Sequence, residues 1–255
     1  MPFGSVLSNA KTVTLTTADD RTVNVKSSVS KFALRMIGIP HIGLRVRARG
    51  VLYLLNPQQN EIILDAGCGN GVYSFTLGFS GSIVYGVDNN KKTISNCQRM
   101  SEEMGLSNQI YFYKANLLKL PFDSNFFDKI VFSETLEHIQ EDKKAIEELH
   151  RVLKPDGVMV ISVPTNIFIN KRYKKQFGHY RLYDITKLKK LLKKKFDIVL
   201  VARRNRLMGQ LAWFLNRKFF FNKILVSLTF PFLYFMTYID FYGHGRELLV
   251  KVRKK

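Results

Sequence analysis

Cysteine is nearly missing from this chain, with only Cys68 and Cys97 among 255 residues. Two thiols make no disulfide framework, and Cys68 sits inside a glycine-rich stretch, so a reducing cytoplasm is the expected setting. Acid is also scarce: 20 Asp and Glu face 40 Lys and Arg, a formal net charge of +20. Such a chain attracts polyanions, meaning nucleic acid or an anionic membrane face, and charge alone does not choose between them. The chain does not open on a basic segment followed by an apolar run, so no secretory signal is expected. Cys, His and acid do not gather at metal-ligand spacing, and no metal is expected. Long apolar spans are lacking as well: the uncharged run Ile224 to Ile239 is 16 residues, broken by Pro231, whereas a spanning helix needs about 17 to 25. A segment lying in the membrane interface is favoured over one crossing it.

What is present is a regular alternation from Glu61 onward. Short apolar runs (Ile62 to Asp65, Ile83 to Val87, Ile110 to Tyr113, Phe127 to Phe132, Val158 to Val163, Phe196 to Val201) alternate with helical patterns. This predicts an α/β fold, a Rossmann-like doubly wound sheet of seven strands, mostly parallel. Glu247 to Val252 supplies the last strand. The predicted organisation is an N-terminal extension over 1–44, a core domain over 45–204, an aromatic and basic insertion over 205–242, and a return to the core over 243–255. Within the extension, Thr12 to Thr16 and Val23 to Val25 can pair as a small hairpin.

The stretch around which this order is built is Asp65-Ala-Gly67-Cys-Gly69-Asn-Gly71. A buried strand that breaks into glycines before a helix suits a nucleotide-type ligand, because glycine tolerates positive φ and lets a ligand approach the backbone. Val72 stands where a nicotinamide-binding turn would carry its third glycine, which weakens the dehydrogenase reading. Asp88, at the end of the second strand, is a carboxylate that can take both hydroxyls of a ribose.

Taken together, Asp65 to Gly71, Gly86-Val-Asp88, Leu120-Pro-Phe122, Phe127-Asp-Lys-Ile-Val, Glu134-Thr-Leu-Glu-His138 and Leu149-His-Arg-Val-Leu-Lys-Pro-Asp-Gly157 resemble, in order and spacing, the class I S-adenosylmethionine-dependent methyltransferases. The resemblance covers residues 45 to 204 and is closest to the enzymes of small molecules and lipids. It implies S-adenosylmethionine as cofactor and an antiparallel seventh strand. It places Asp65, Ala66, Gly67, Cys68, Gly69 and Gly71 along the methionine end of the cofactor. Asp88 then lies on the ribose, Asn89 beside the adenine, Asn116 and Leu117 at the adenine edge, and Ser133 and Glu134 at the cofactor–acceptor junction. On the acceptor side it implies His138, together with His179, Tyr180 and Arg181 of the segment Gly178-His-Tyr-Arg-Leu-Tyr183. An imidazole, a phenol and a guanidinium there can orient an acceptor or remove its proton. Asp128 and the helix before Lys154-Pro-Asp-Gly157 read as structural.

Between Lys171 and Lys218, sixteen Lys and Arg stand against Asp184 and Asp197, so most of the positive charge belongs to the C-terminal third. Residues 205 to 242 hold twelve aromatics in 38 positions, flanked by Arg203, Arg204, Arg206, Arg217, Lys218 and Lys223. Aromatic insertion beside cationic residues is the pattern of a segment held at an anionic interface. In the implied fold the connection between strands six and seven emerges where ligands bind. The leading expectation is methyl transfer to a small lipophilic acceptor, by a cytoplasmic protein peripheral to the inner membrane face. A nucleic-acid methyltransferase is the second reading, opposed by the absence of an Asn-Pro-Pro-Tyr or Asp-Pro-Pro-Tyr tetrapeptide. The third is a membrane-attached cofactor-binding module without catalysis.

Overall fold

The computed structural model describes residues 13–16, 22–25, 42–165, 178–204 and 247–255. The aromatic insertion 205–242 lies outside these residues. Near the N-terminus β1 (Val13–Thr16) and β2 (Thr22–Val25) pair antiparallel as the expected hairpin. Helix α1 (Ile42–Leu55) follows and ends before Asn56-Pro57, where proline disfavours a helical predecessor. The main unit then runs β3 (Ile62–Ala66), α2 (Val72–Phe79), β4 (Ile83–Asp88), α3 (Lys91–Glu103), β5 (Ile110–Lys114), β6 (Phe127–Ser133), a 3-10 turn (Leu136–His138), α4 (Asp142–Val152), β7 (Leu153–Pro164), α5 (Ile185–Leu192), β8 (Phe196–Arg204) and β9 (Glu247–Lys254).

Seven strands form one sheet in the order β5-β4-β3-β6-β7-β9-β8. Every pairing from β5 to β7 is parallel, and β9 is antiparallel to both of its neighbours. The doubly wound sheet with an antiparallel last strand is therefore as the sequence predicts. The order reverses between β3 and β6, and in open α/β sheets ligands sit at the carboxyl ends of strands where the order reverses.

Period-two alternation splits the core between the two sheet faces. Leu64, Ile130, Phe132 and Ile161 pack with Ile146 and Leu149 of α4 and with Leu188 and Leu192 of α5. Their neighbours Ile63, Val131 and Val160 point the other way, to Val51 and Leu55 of α1, Phe75 and Leu77 of α2, and Ile94 of α3. Two helices are closed by their own side chains: Asn90 accepts from Thr93 N at 3.2 Å ahead of α3, and Asp184 accepts from Lys187 N at 2.8 Å ahead of α5. Each satisfies a backbone donor that the helix leaves unpaired.

Strand boundaries move where long-range pairing overrides local pattern. The Lys154 to Gly157 connector lies within β7, because Leu153 pairs with Phe127 and draws the strand back across an irregularity to Val158. Asp128 is structural, as expected: one carboxylate oxygen accepts from Ile62 N at 2.8 Å, and Lys154 holds the other at 2.7 Å.

Candidate functional site

The carboxyl ends of β3 and β4 are joined by backbone. Gly67 N and Cys68 N both donate to Val87 O, at 2.8 and 2.9 Å, which folds the glycine loop against the end of β4. Gly67, Gly69 and Gly71 have φ of 75°, 48° and 72°, the left-handed region that side chains resist. Gly67 is also enclosed: a Cβ there would come within 2.4 Å of the Thr135 side chain. At Gly69 a Cβ would meet nothing within 4 Å, so the loop keeps an open backbone surface over that residue.

Asp65 ties this loop to the helix beyond it. One carboxylate oxygen accepts from Ser74 N at 3.0 Å and from Ser74 Oγ at 2.7 Å. Burial raises its pKa to about 6 despite those two hydrogen bonds. Asp65 thus orders the loop from beneath. Cys68 and Cys97 are buried beside it, and burial drives both thiols up, Cys97 to about 12. Neither is a thiolate available for chemistry.

Asp88 divides its carboxylate between two backbone donors, Gly69 N at 3.1 Å and Asn90 N at 2.9 Å. These bonds fix its plane and leave further lone pairs for a diol. Asn89 is exposed beside it, and Leu117 is buried beneath the next loop. Asn116 is exposed too, and its side-chain oxygen accepts from Leu118 N at 2.9 Å. That bond orders the turn and occupies part of the acceptor capacity the adenine reading assigns to it. Among the described residues, the open glycine backbone and the pre-set Asp88 carboxylate suit a ligand with a ribose and a polar tail, so the residues present fit the implied cofactor.

From β6 the geometry changes character. Ser133 Oγ shares a hydrogen-bond chain with Tyr73 OH at 2.9 Å and Ser162 Oγ at 2.7 Å. Glu134 follows with φ of 50°, a strained turn for a non-glycine residue, such as clusters at functional sites. It feeds Thr135 onto Gly67 and then the turn that carries Glu137 and His138. Arg47 of α1 reaches this place, with its guanidinium 3.1 Å from Glu134 Oε2 and 3.1 Å from Glu247 Oε1 at the start of β9. Burial opposes that charge, yet Glu134 and Glu247 outweigh it and hold Arg47 above its ordinary pKa.

Residues 178–183 dock on the same turn. Tyr180 N donates to Glu137 O at 2.9 Å, and Arg181 donates to Gln140 O at 2.6 Å. Arg181 also pairs with Asp142, which accepts from Tyr183 OH at 2.9 Å. These bonds seat His179 against His138, rings perpendicular with centroids 4.7 Å apart. Burial lowers the His138 pKa, against a hydrogen bond to the Gly178 backbone. Tyr180 is exposed, and Arg181 is held in its ion pair. His138 and His179 are therefore brought together, whereas Arg181 faces the first turn of α4.

Sequence reasoning passed over Arg47, Tyr73, Glu137 and Glu247. Arg47 is one of three arginines at alternate positions in Arg45 to Arg49, and nothing local distinguishes it. Glu137 lies inside the motif that carries Glu134 and His138, so its proximity to both was the available signal. Glu137, His138 and His179 also form a group whose ligand atoms lie within 4.8 Å of one another. No metal was expected from spacing, because the third member comes from a distant segment.

Residues 57–180 match the sequence profile of a methyltransferase domain. Among curated relatives, a sterol 24-C-methyltransferase of Pneumocystis carinii is 35% identical over 102 residues, 40% of this chain and 27% of that protein. A demethylmenaquinone methyltransferase of Oceanobacillus iheyensis is 30% identical over 149 residues, 56% of this chain and 60% of that protein. The chain thus spans less than two thirds of the length of either. Among solved structures, the phosphoethanolamine N-methyltransferase 2 of Haemonchus contortus in complex with S-adenosyl-L-methionine superposes with a TM-score of 0.64 at 16% identity, covering 82% of this chain and 52% of that one. A SAM-dependent methyltransferase from Aquifex aeolicus gives 0.59 at 16% identity over 87% of this chain and 96% of that one. At such identities these likenesses establish the fold.

Proposed function

We propose that this chain, whose residues 57–180 match a methyltransferase domain, is a class I S-adenosylmethionine-dependent methyltransferase that transfers a methyl group to a small lipophilic acceptor at an anionic membrane surface. The observation that carries the acceptor class is where the aromatic stretch departs and returns. β8 ends at Arg204, β9 begins at Glu247, and both pair in register beside Pro164 at the carboxyl edge of the sheet. The glycine loop and Asp88 stand at that same edge. Twelve aromatics and their basic flank are thereby tethered to the ligand-binding side, which supports an acceptor drawn from a lipid phase. The sterol and menaquinone enzymes among the relatives act on lipophilic molecules by name, in keeping with this reading. Among the described residues no helix is long and apolar enough to cross a membrane, and interfacial attachment needs none.

The sulfonium of S-adenosylmethionine supplies an already activated methyl group. What remains for the protein is position. Asp88 and the Gly67–Gly71 backbone hold one partner, while the Thr135 contact on Gly67 sets the turn bearing His138 at a fixed place relative to that loop. Approach in line and at contact distance then accounts for much of the acceleration. His138 and His179 supply imidazoles on the acceptor side, and burial keeps that of His138 neutral around pH 7.

Radiolabelled methyl transfer on total lipid and total RNA from the source cell tests the reading. Label is expected in the lipid fraction, and flotation with anionic vesicles is expected to weaken at high salt. Label in RNA alone would overturn the acceptor class, and tight cofactor binding without label in either fraction would identify a non-catalytic module. Calorimetric titration of the Asp88→Ala variant with S-adenosylmethionine should show affinity lower by about 10- to 100-fold, the worth of charge-assisted hydrogen bonds to a diol.

A further inference from the structure

We propose that Glu137, His138 and His179 form a binding site for one divalent cation of the borderline first-row class, on the acceptor side of the methyltransferase site. Each contributes one ligand atom, and the three atoms lie within 4.8 Å of one another, so small side-chain rotations bring them to the roughly 3–4 Å spacing that one ion requires at metal–ligand distances near 2 Å. Two imidazoles and one carboxylate suit zinc, iron or cobalt better than calcium or magnesium, which prefer oxygen.

An independent observation points the same way. Glu137 is 1% exposed, and its Oε2 is buried with no hydrogen-bond partner. An unsatisfied buried carboxylate oxygen is costly, and a cation between it and the two imidazoles removes that cost. The supports around the group are those of a ligand set. His138 hydrogen-bonds the Gly178 backbone, the kind of outer contact that orients a ligating imidazole. The bond from Tyr180 N to Glu137 O holds the His179 segment to the turn that carries the other two. With only three protein ligands, coordination positions stay open toward the acceptor, where an oxygen or nitrogen could bind.

The cation site stands on this cluster alone, and only its placement beside the acceptor rests on the methyl-transfer reading. The test uses the full, tag-free chain stripped with a chelator, then titrated with Zn2+ by calorimetry and with Co2+ by visible absorption. About one equivalent of Zn2+ is expected to bind, and Co2+ should develop bands stronger than those of the aqueous ion. Glu137→Gln and His179→Gln should each weaken binding by at least about tenfold. Thermal unfolding of each variant without metal or cofactor reports whether the fold survives, and two variants guard against the loss of one. Failure of the stripped protein to take up either ion would overturn the site, as would unchanged affinity in a folded Glu137→Gln variant. A chain that binds Zn2+ in this way yet transfers no methyl group would keep the cation site and lose the proposed function.

Discussion

The two halves of the carboxyl edge are built from different materials. On the β3–β4 side, the proposed ligand surface is backbone: glycines at positive φ, amide donors pinned to Val87 O, and carboxylates held by hydrogen bonds from the loop and helix start, Asp65 on Ser74 and Asp88 on Gly69 and Asn90. On the β6–β7 side it is side chain: Arg47 between Glu134 and Glu247, the Tyr73–Ser133–Ser162 hydroxyl chain, and the Glu137–His138–His179 group. Backbone surfaces accept few changes and suit a partner that stays the same from reaction to reaction. Side-chain surfaces can be rewritten residue by residue, as suits the partner that differs between enzymes on one fold.

The largest effect should follow from breaking the side-chain half at its buried charge. Arg47→Ala removes the cation that lies between two carboxylates and should cost about 3–5 kcal/mol, by analogy with other buried pairs deprived of one partner. For a chain of this length that is a fall in melting temperature of about 10 °C, readable by calorimetry. Replacing the pair together, as in Arg47→Met with Glu247→Gln, should recover part of the loss. Unchanged melting in Arg47→Ala would show that the network is decorative.

The backbone half should break differently, with function lost ahead of stability. Gly67→Ala combines a left-handed φ with a methyl 2.4 Å from Thr135, so loop and turn must separate, and cofactor affinity should drop by about a hundredfold if near 3 kcal/mol is lost. Gly69→Ala has the same handedness problem but open space, and about 1–2 kcal/mol of backbone strain is its whole cost. Titration of the two variants with S-adenosylmethionine should therefore rank them clearly. Equal losses would mean that the Thr135 contact does not set the geometry of the site.

That same division explains what the sequence made legible. The succession of strands along the chain, the glycine loop and the Asp88 position follow from motifs in which chemistry and local structure coincide, so they were readable in series, whereas the order of the strands across the sheet was not. Arg47 and Glu247 are 200 residues apart, and His179 reaches Glu137 only because Tyr180 and Arg181 dock across the turn. Such contacts leave no local period or spacing. Asn116 shows the converse: the motif marked it as an adenine partner, while its geometry first serves its own turn. The β7 boundary moved for a tertiary reason as well, since Leu153 pairs with Phe127 where a connector was expected.

The last effect shows only as pH changes and concerns Asp65, the point where the backbone half depends on a single buried charge. Its native pKa is raised to about 6 from 3.8, so between those values the folded chain binds more protons than the unfolded one. Stability contributed by this group is therefore full at low pH and is lost as pH rises through about 6. A shift of this size is worth about 2–3 kcal/mol at most. Asp65→Asn removes the titration and keeps an oxygen for Ser74 N. Denaturant unfolding of both proteins without cofactor, compared at pH near 4.5 and near 6.5, should show the wild type losing about 2 kcal/mol more than the variant as pH rises. A difference of opposite sign would mean that the two Ser74 hydrogen bonds, and not burial, govern this carboxylate, and that the glycine loop is anchored by an anion the fold stabilises.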